Sequence, residues 1–224
     1  MPNKEDHARY ASNRANEQRR RIAVEAARLI AEGGLRDYRQ AKLKAASRLG
    51  IDDDLSLPKN IEIEEALREH QRIFQAHSQP QLLQKRREAA VEAMRFLGDY
   101  EPRLVGAVLD GTADSHSAVC LHVFSDDPEA VILHLREHGV PVETQTRRLR
   151  ISRDEQAEYP VLLFAADELP FDLTVLPVNS LRQPPLDRID EKPMRRAPLA
   201  TVEALIAEGA DEDDFERKLA AALR

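Results

Sequence analysis

The stretch LVGAVLDGTADSHSAVCLH, residues 104–122, constrains the fold of this chain more than any other part of the sequence. An apolar segment ends at Gly106-Ala107, a loop of small residues follows at Gly111-Thr112, and Ser117 precedes a second apolar segment. Glycine permits the tight backbone turn that joins two adjacent strands, and the second segment alternates as a strand does. The stretch therefore predicts a strand, a turn and a second strand, and two strands require a sheet.

Residues 1–98 are predicted to be a helical region. Apolar residues recur at helical spacing, as in Ile22, Ala26 and Ile30, and glycine or proline interrupts the pattern at intervals. Pro80 suits the first turn of the last of these helices, where its missing N–H costs nothing. The predicted helices cover about residues 13–32, 37–49, 59–76 and 80–97.

Residues 99–197 have a mixed pattern, and residues 198–224 are predicted to form closing helices that begin near Pro198 and Asp213. Asp127-Pro128 is typical of a helix start, because Asp caps free N–H groups and proline fits the first turn. The predicted strands cover about residues 103–109, 118–124, 142–151, 160–165 and 171–176. The predicted fold class is α+β, a helical region followed by a domain with a small mixed sheet.

Composition narrows the classes of protein that are compatible with the sequence. No run approaches the roughly 18 apolar residues of a membrane span, and residues 1–20 lack the apolar segment of a signal peptide. The chain has one cysteine, Cys120, which excludes an internal disulfide framework and a cysteine-rich zinc site. We therefore expect a cytoplasmic protein with no membrane partner.

The glycine-punctuated stretch resembles the active-site loop of the DNA-polymerase-β-like nucleotidyltransferase superfamily. That family has an apolar residue, Gly-Ser or Gly-Gly, a spacer of roughly ten residues, and then Asp-apolar-Asp-apolar. Here Val105-Gly106-Ala107 is followed by residues 108–117 and then by Ala118-Val119-Cys120-Leu121. The resemblance extends over about residues 95–180 and implies a nucleotidyltransferase-like domain at residues 99–197. A generic strand-turn-strand of an α/β protein is the alternative interpretation.

The resemblance also implies roles for particular residues. Two carboxylates on the second strand would hold magnesium in the family, but Ala118 and Cys120 occupy those places, and a thiol is a poor magnesium ligand. The third carboxylate corresponds to Asp172, which would be the remaining catalytic residue. The implied nucleotide-binding positions are Gly106, Ala107, Gly111, Thr112 and Ser117. The implied cofactor is Mg²⁺ with a nucleoside triphosphate, at a catalytic centre that has degenerated.

Relocated acids are a second hypothesis, in which Asp110, Asp114 and Asp172 together hold magnesium in an active transferase. Asp also favours turns, so Asp110 and Asp114 have an equally simple structural interpretation. A third arrangement, Cys120 with His122 and Asp172, would suit zinc or copper better than magnesium. The main interpretation remains a nucleotidyltransferase-like protein with a degenerate catalytic centre, which binds a nucleotide or a nucleic-acid end, or acts through a partner.

The excess of basic residues in the N-terminal part of the chain gives a further hypothesis. Residues 1–50 contain twelve Lys and Arg against six Asp and Glu, although the whole chain has a net charge of −7. Residues 19–48 could therefore contact nucleic acid or an acidic partner, as in a nucleic-acid-binding regulator, or form an ordinary solvated helix surface. A second basic group, which includes Arg195 and Arg196, would lie near the nucleotide or form a surface loop.

Overall fold

The chain folds into N-terminal helices followed by a five-stranded mixed sheet, which confirms the predicted α+β class. The coordinates are a computed structural model. It describes residues 4–35, 37–51, 53, 56–74, 79–152 and 154–209, with side chains described from residue 13 onward except those of Phe74 and Gln79. The predicted helix from Asp213 lies outside these residues. Within them, none of the helices combines the length and apolar character that crossing a bilayer requires.

Three helices form the first unit: α1 (Lys4–Gly33), α2 (Tyr38–Leu49) and α3 (Asn60–Phe74). Local signals set the ends of α2. The Asp37 carboxylate accepts a hydrogen bond from the Gln40 N–H, and Gly50 ends the helix at a φ of 64°, in the left-handed region that glycine tolerates. The helices share a core of small and branched apolar side chains that includes Ile22, Ala26, Ala45, Ile63 and Leu67.

The second unit begins earlier than the sequence predicts. The compact units comprise residues 1–76 with 188–190, and residues 77–187 with 191–224. Helix α4 (Gln79–Phe96) thus belongs with the sheet, although residues 1–98 were expected to form one helical region. The reason is its apolar face: Ala90, Val91 and Met94 are buried in the core of the sheet domain. Periodicity alone does not indicate which neighbour covers such a face.

The sheet has the strand order β1-β2-β5-β4-β3, in which β2 and β5 are parallel and the other neighbours are antiparallel. A short helix α5 (Ala107–Asp110) follows β1, and α6 (Pro128–Glu137) follows β2. A last helix, α7, covers residues 199–209. The strands are β1 (Arg103–Val105), β2 (Val119–Phe124), β3 (Glu143–Arg150), β4 (Gln156–Ala166) and β5 (Leu169–Leu176).

Alternation along the strands separates an apolar face from a polar one. Leu121 and Leu173 lie directly opposite each other on β2 and β5 and are fully buried in the domain core. Their neighbours in sequence, Cys120 and Asp172, are likewise paired and point to the other face. We call this second side, which also carries His122 opposite Thr174, the polar face of the sheet.

Two segments near this face contain structure that the sequence analysis did not predict. The strand expected at residues 103–109 ends at Val105, because Gly106 turns the chain into α5. The segment 177–197, which lies between the last predicted strand and the predicted closing helices, contains a short 3-10 helix at Val178–Leu181. Its last residue is bound to the sheet, since Leu104 and Ala197 exchange two backbone hydrogen bonds of 2.9 Å. This bridge holds Arg195 and Arg196 beside β1.

Candidate functional site

The Gly106 turn joins β1 to α5 and lies beside the polar face. Gly106 has φ 69° and ψ −154°, a conformation that is essentially restricted to glycine. A Cβ atom built on it would lie 3.9 Å from the Cβ of Cys120, so the turn passes directly beside that strand position. Helix α5 closes with Thr112 N–H donating to Ala107 O over 2.9 Å, and Gly111 ends it at φ 80°.

The glycine loop, residues 111–118, is shaped by its own hydrogen bonds. The buried Asp114 carboxylate accepts from the His116 N–H and from the Ser117 hydroxyl, both over 2.8 Å. The Ser117 hydroxyl oxygen in turn accepts from the Asp114 N–H over 3.0 Å. Asp114 therefore has the role of a turn residue, and the Ser117 hydroxyl and the Thr112 N–H are used within the loop.

The buried Arg86, on α4, holds this loop, and the neighbouring half-buried Arg87 binds α7. Arg86 donates to the carbonyl oxygens of Ser115 and Ser117, each over 2.9 Å, and its side chain is buried. Burial lowers the pKa of Arg86, an effect that the Asp114 carboxylate opposes. Arg87 donates to the carbonyl oxygen of Leu205 on α7 over 3.3 Å. The sequence analysis did not identify these residues as positioning groups, and only their place on the face of α4 next to the sheet gives them that role.

Three of the predicted site positions, Gly106, Cys120 and Asp172, are neighbours on the polar face. Cys120 lies opposite Val105 on one side and opposite Asp172 on the other, so the Gly106 turn, the Cys120 thiol and the Asp172 carboxylate form one row. Ala118 directly precedes β2 and is buried, with 8 % of its surface exposed. The row supplies one carboxylate and no second oxygen ligand from β2.

Asp172 is bound by an arginine that the sequence analysis missed. Arg147, on β3, donates from Nη1 to Oδ1 over 2.9 Å and from Nη2 to Oδ2 over 2.6 Å. Its Nη1 also donates to the Thr174 hydroxyl over 3.3 Å. The bond to Asp172, which outweighs desolvation, raises the pKa of Arg147. The sequence does show an arginine within a predicted strand. It does not show the strand order, which places β3 close enough to β5 for Arg147 to reach Asp172.

His122 lies beside this ion pair in a positively charged environment. It is buried, and no described residue forms a hydrogen bond with its Nδ1. Burial first, and then the charges of Arg196 and Arg147, lower its pKa to about 3, so the imidazole is neutral at physiological pH. Arg196 donates to the carbonyl oxygens of Ser180 and Leu181, each over 2.8 Å. Its guanidinium carbon lies 5.3 Å from the centre of the Phe124 ring.

The three acids of the relocated-acid hypothesis have different surroundings. Asp110, at the end of α5, pairs with Arg195 over 3.1 Å, Asp114 is used inside the glycine loop, and Asp172 is paired with Arg147. Among the residues that the structure describes, no group of three or more His, Cys, Asp or Glu side chains is placed to hold a metal ion, and this includes Cys120 with His122 and Asp172. The residues present do not fit a two-magnesium centre.

Comparison of the chain with family models, with curated proteins and with solved structures finds no significant match. The functional interpretation therefore rests on the geometry of the polar face.

The cavities lie away from this row of residues. An apolar cavity of about 210 Å³ in the sheet domain is lined by residues such as Phe96, Leu135, Phe164 and Phe171. A more open one, of about 720 Å³, lies in the first unit between charged side chains of α1 and α2 that include Arg28 and Glu32. Neither is lined by a residue of the predicted site.

Part of the basic stretch at residues 19–48 is used within the first unit. Arg28 and Arg48 both bind the Glu25 carboxylate, over 2.9 and 3.1 Å. Lys42 donates to Pro58 O over 2.7 Å, and burial lowers the pKa of its ammonium group, which Glu62 partly offsets. Other basic side chains on α2, such as Arg39, are exposed.

Proposed function

We propose that this chain is a cytoplasmic, catalytically degenerate nucleotidyltransferase-like protein that binds a nucleotide or a nucleic-acid end, or acts through a partner. The observation that carries the proposal is the row formed by the Gly106 turn, Cys120 and Asp172 on the polar face. The resemblance in sequence requires this juxtaposition, because a phosphate-binding turn is useful only beside the residues that handle the reacting phosphate. A generic strand-turn-strand does not require an acid in that place.

Degeneracy is supported by the chemistry of the same row. Nucleotidyl transfer commonly uses two metal ions about 3.5–4 Å apart, and carboxylate oxygens hold them. Ala118 has no ligand atom, Cys120 has a soft sulfur, and both oxygens of Asp172 already accept from Arg147. Each 1.36 kcal/mol of lost transition-state stabilisation slows a reaction about tenfold. We therefore favour binding over turnover.

The decisive experiment combines binding with a turnover assay on the full chain. Calorimetric titration with ATP and GTP should detect binding, whereas labelled nucleotide should not be incorporated into RNA or protein. Absence of binding to ATP, to GTP and to a 5′-phosphorylated oligonucleotide, with and without magnesium, would overturn the proposed binding function. Incorporation above background would instead favour an active transferase, and Asp110→Asn and Asp114→Asn would then show whether relocated acids support it.

A different measurement distinguishes the alternative function, that of a nucleic-acid-binding regulator. Exposed basic side chains on α2, such as Arg39 and Lys44, would give binding of DNA or RNA that weakens steeply as salt is raised. Arg39→Gln with Lys44→Gln should then abolish that binding without affecting nucleotide affinity. Such salt-dependent binding without any affinity for ATP or GTP would favour the regulator over the proposed function.

A further inference from the structure

Arg147 has hydrogen-bonding capacity that its contact with Asp172 does not use. A guanidinium has five N–H donors arranged in forks. Two of them, on Nη1 and Nη2, hold the Asp172 carboxylate, and another on Nη1 reaches the Thr174 hydroxyl. The Nε–H and the second Nη2–H lie side by side on the remaining edge, and no described residue accepts from them. The side chain as a whole is 41 % exposed.

This remaining edge has the geometry that a phosphate group requires. Arginine commonly binds phosphate through two parallel N–H···O bonds, which are shorter and stronger than neutral hydrogen bonds. Because Asp172 holds the other edge, the guanidinium is fixed in orientation before any ligand arrives, and less freedom is lost on binding.

The charge of the polar face favours an anion rather than a cation. The positive charges of both Arg147 and Arg196 act on the buried His122, whereas the described acid within the row is Asp172 alone. That carboxylate is neutralised by its bidentate contact with Arg147. A magnesium ion would share that carboxylate with the guanidinium, whose positive charge repels it, and would find no second carboxylate on β2.

We propose that Arg147 takes the place of the metal and binds a nucleotide phosphate directly, so that nucleotide binding at this site needs no magnesium. This inference rests on the proposed function, since it concerns the same row of residues. It assigns the site to a nucleoside triphosphate in its metal-free form, with Arg147 as the residue that contacts phosphate and Asp172 as the residue that orients it.

The test measures the affinity of the full chain for ATP in two buffers, one with excess EDTA and one with magnesium. The expected dissociation constant in EDTA is equal to or lower than that in magnesium, because magnesium masks phosphate charge. Arg147→Gln should weaken binding in EDTA by about 10- to 100-fold. Arg147→Lys keeps the charge but loses the fork and should restore only part of the affinity. Circular dichroism and thermal unfolding establish that both variants are folded.

A matched control is available on the same strand. Arg148 is the next residue on β3 and forms an exposed ion pair with Glu158, with side chains 66 % and 55 % exposed. Arg148→Gln removes the same charge from the same strand and should leave ATP affinity within about twofold, because exposed pairs contribute little.

Asp172→Asn should change the affinity for ATP in different directions for the two modes of binding. If Arg147 binds phosphate, the amide oxygen that Asp172→Asn keeps can still accept from the guanidinium and orient it, while the loss of the negative charge makes the site more positive, so affinity in EDTA should stay equal or rise. If magnesium bridges Asp172 and the nucleotide, the same variant should weaken binding, and EDTA should abolish it in the wild type. That second result would overturn this inference and leave the proposed function standing.

Other results of these binding measurements would decide between the proposed function and this inference. Absence of binding to both ATP and a 5′-phosphorylated oligonucleotide, in either buffer, would remove the proposed binding function and this inference together. Equal ATP binding by wild type and by folded Arg147→Gln would overturn this inference alone. Binding of a 5′-phosphorylated oligonucleotide in EDTA, with no affinity for ATP, would also overturn the assignment to a nucleoside triphosphate while retaining a nucleic-acid end.

Discussion

Arg86 on α4 and Ser117 in the glycine loop are joined by a 2.9 Å hydrogen bond from the guanidinium Nε to the backbone carbonyl oxygen. The same side chain bridges to Ser115, two residues earlier, also over 2.9 Å. A buried guanidinium needs hydrogen-bond acceptors, and these two carbonyl oxygens supply them. Arg86 thereby fixes the conformation of the loop that leads into β2.

Replacing Arg86 should destabilise the protein. Arg86→Leu removes the donors to two loop carbonyls, and we expect the free energy of unfolding to fall by about 2–4 kcal/mol. Urea unfolding followed by circular dichroism measures this. Lys85→Ala, at the exposed neighbouring position, should change it by less than about 0.5 kcal/mol. Equal stability of Arg86→Leu and wild type would mean that the loop does not depend on this contact.

The Arg147–Asp172 pair should show strong coupling in a double-mutant cycle. From Arg147→Gln, Asp172→Asn and the double variant, we expect a coupling energy of about 1–3 kcal/mol, because the contact is bidentate and Asp172 is buried. The Arg148–Glu158 pair provides the comparison and should give less than about 1 kcal/mol. Equal coupling energies for the two pairs would contradict the assigned geometry.

His122 should make stability depend on pH. Its pKa in the folded protein is about 3, below the ordinary value of 6.5, so the unfolded chain binds the proton first as pH falls. The free energy of unfolding should therefore decrease by up to about 1.4 kcal/mol per pH unit between roughly pH 6 and pH 3.

A leucine at this position removes both the titrating group and the buried Nδ1 that lacks a described partner. His122→Leu should reduce the pH slope in that window and keep or raise stability at pH 7. Unfolding free energies of both proteins at a series of pH values provide the measurement. A variant that retains the full wild-type slope would show that His122 is not its source.

Gly106 should be intolerant of a side chain for reasons of backbone conformation. Gly106→Ala forces a residue with a Cβ into φ 69° and ψ −154°, and we expect a loss of about 1–3 kcal/mol, measured by urea unfolding. Contact is not the cause, because the nearest atom would be 3.9 Å away. Gly98→Ala meets nothing within 4 Å and has no positive φ, so it should cost much less. Similar losses for both variants would contradict this explanation.

Two isoleucines on α3 test the core of the N-terminal helices. Ile63 is fully buried and Ile61 is 37 % exposed. Ile63→Ala should lower the free energy of unfolding by about 2–5 kcal/mol, since it removes buried volume, whereas Ile61→Ala should cost less than about 1 kcal/mol. Far-UV circular dichroism in urea detects both. The reverse order would mean that the packing face of α3 is misassigned.

Local signals in the sequence were sufficient for most of the secondary structure. Asp127 and Pro128 predicted the start of α6, and the Asp127 carboxylate indeed accepts from the Glu129 N–H. Gly50 predicted the end of α2, and the strand at residues 118–124 differs from β2 by one residue. Such signals act within a few residues, through capping, backbone conformation and side-chain period, so they can be read without the fold.

The candidate site was only partly predictable. The resemblance to the nucleotidyltransferases selected Gly106, Cys120 and Asp172, which the structure places next to one another. It did not select Arg147 or Arg86, because each acts on a residue distant in sequence through strand order or helix packing. The relocated acids likewise could be judged only from their partners, Arg195 for Asp110 and the loop itself for Asp114.

The sequence by itself determined the α+β class, the turn at Gly106 and the absence of a carboxylate at Ala118 and Cys120. These are properties of residue type and of short-range conformation. Only the tertiary structure decided that the one remaining acid of the row is neutralised. Asp172 meets Arg147 because β5 and β3 lie on either side of β4, and a charge pair of that kind is created by the pairing of strands rather than by any local pattern.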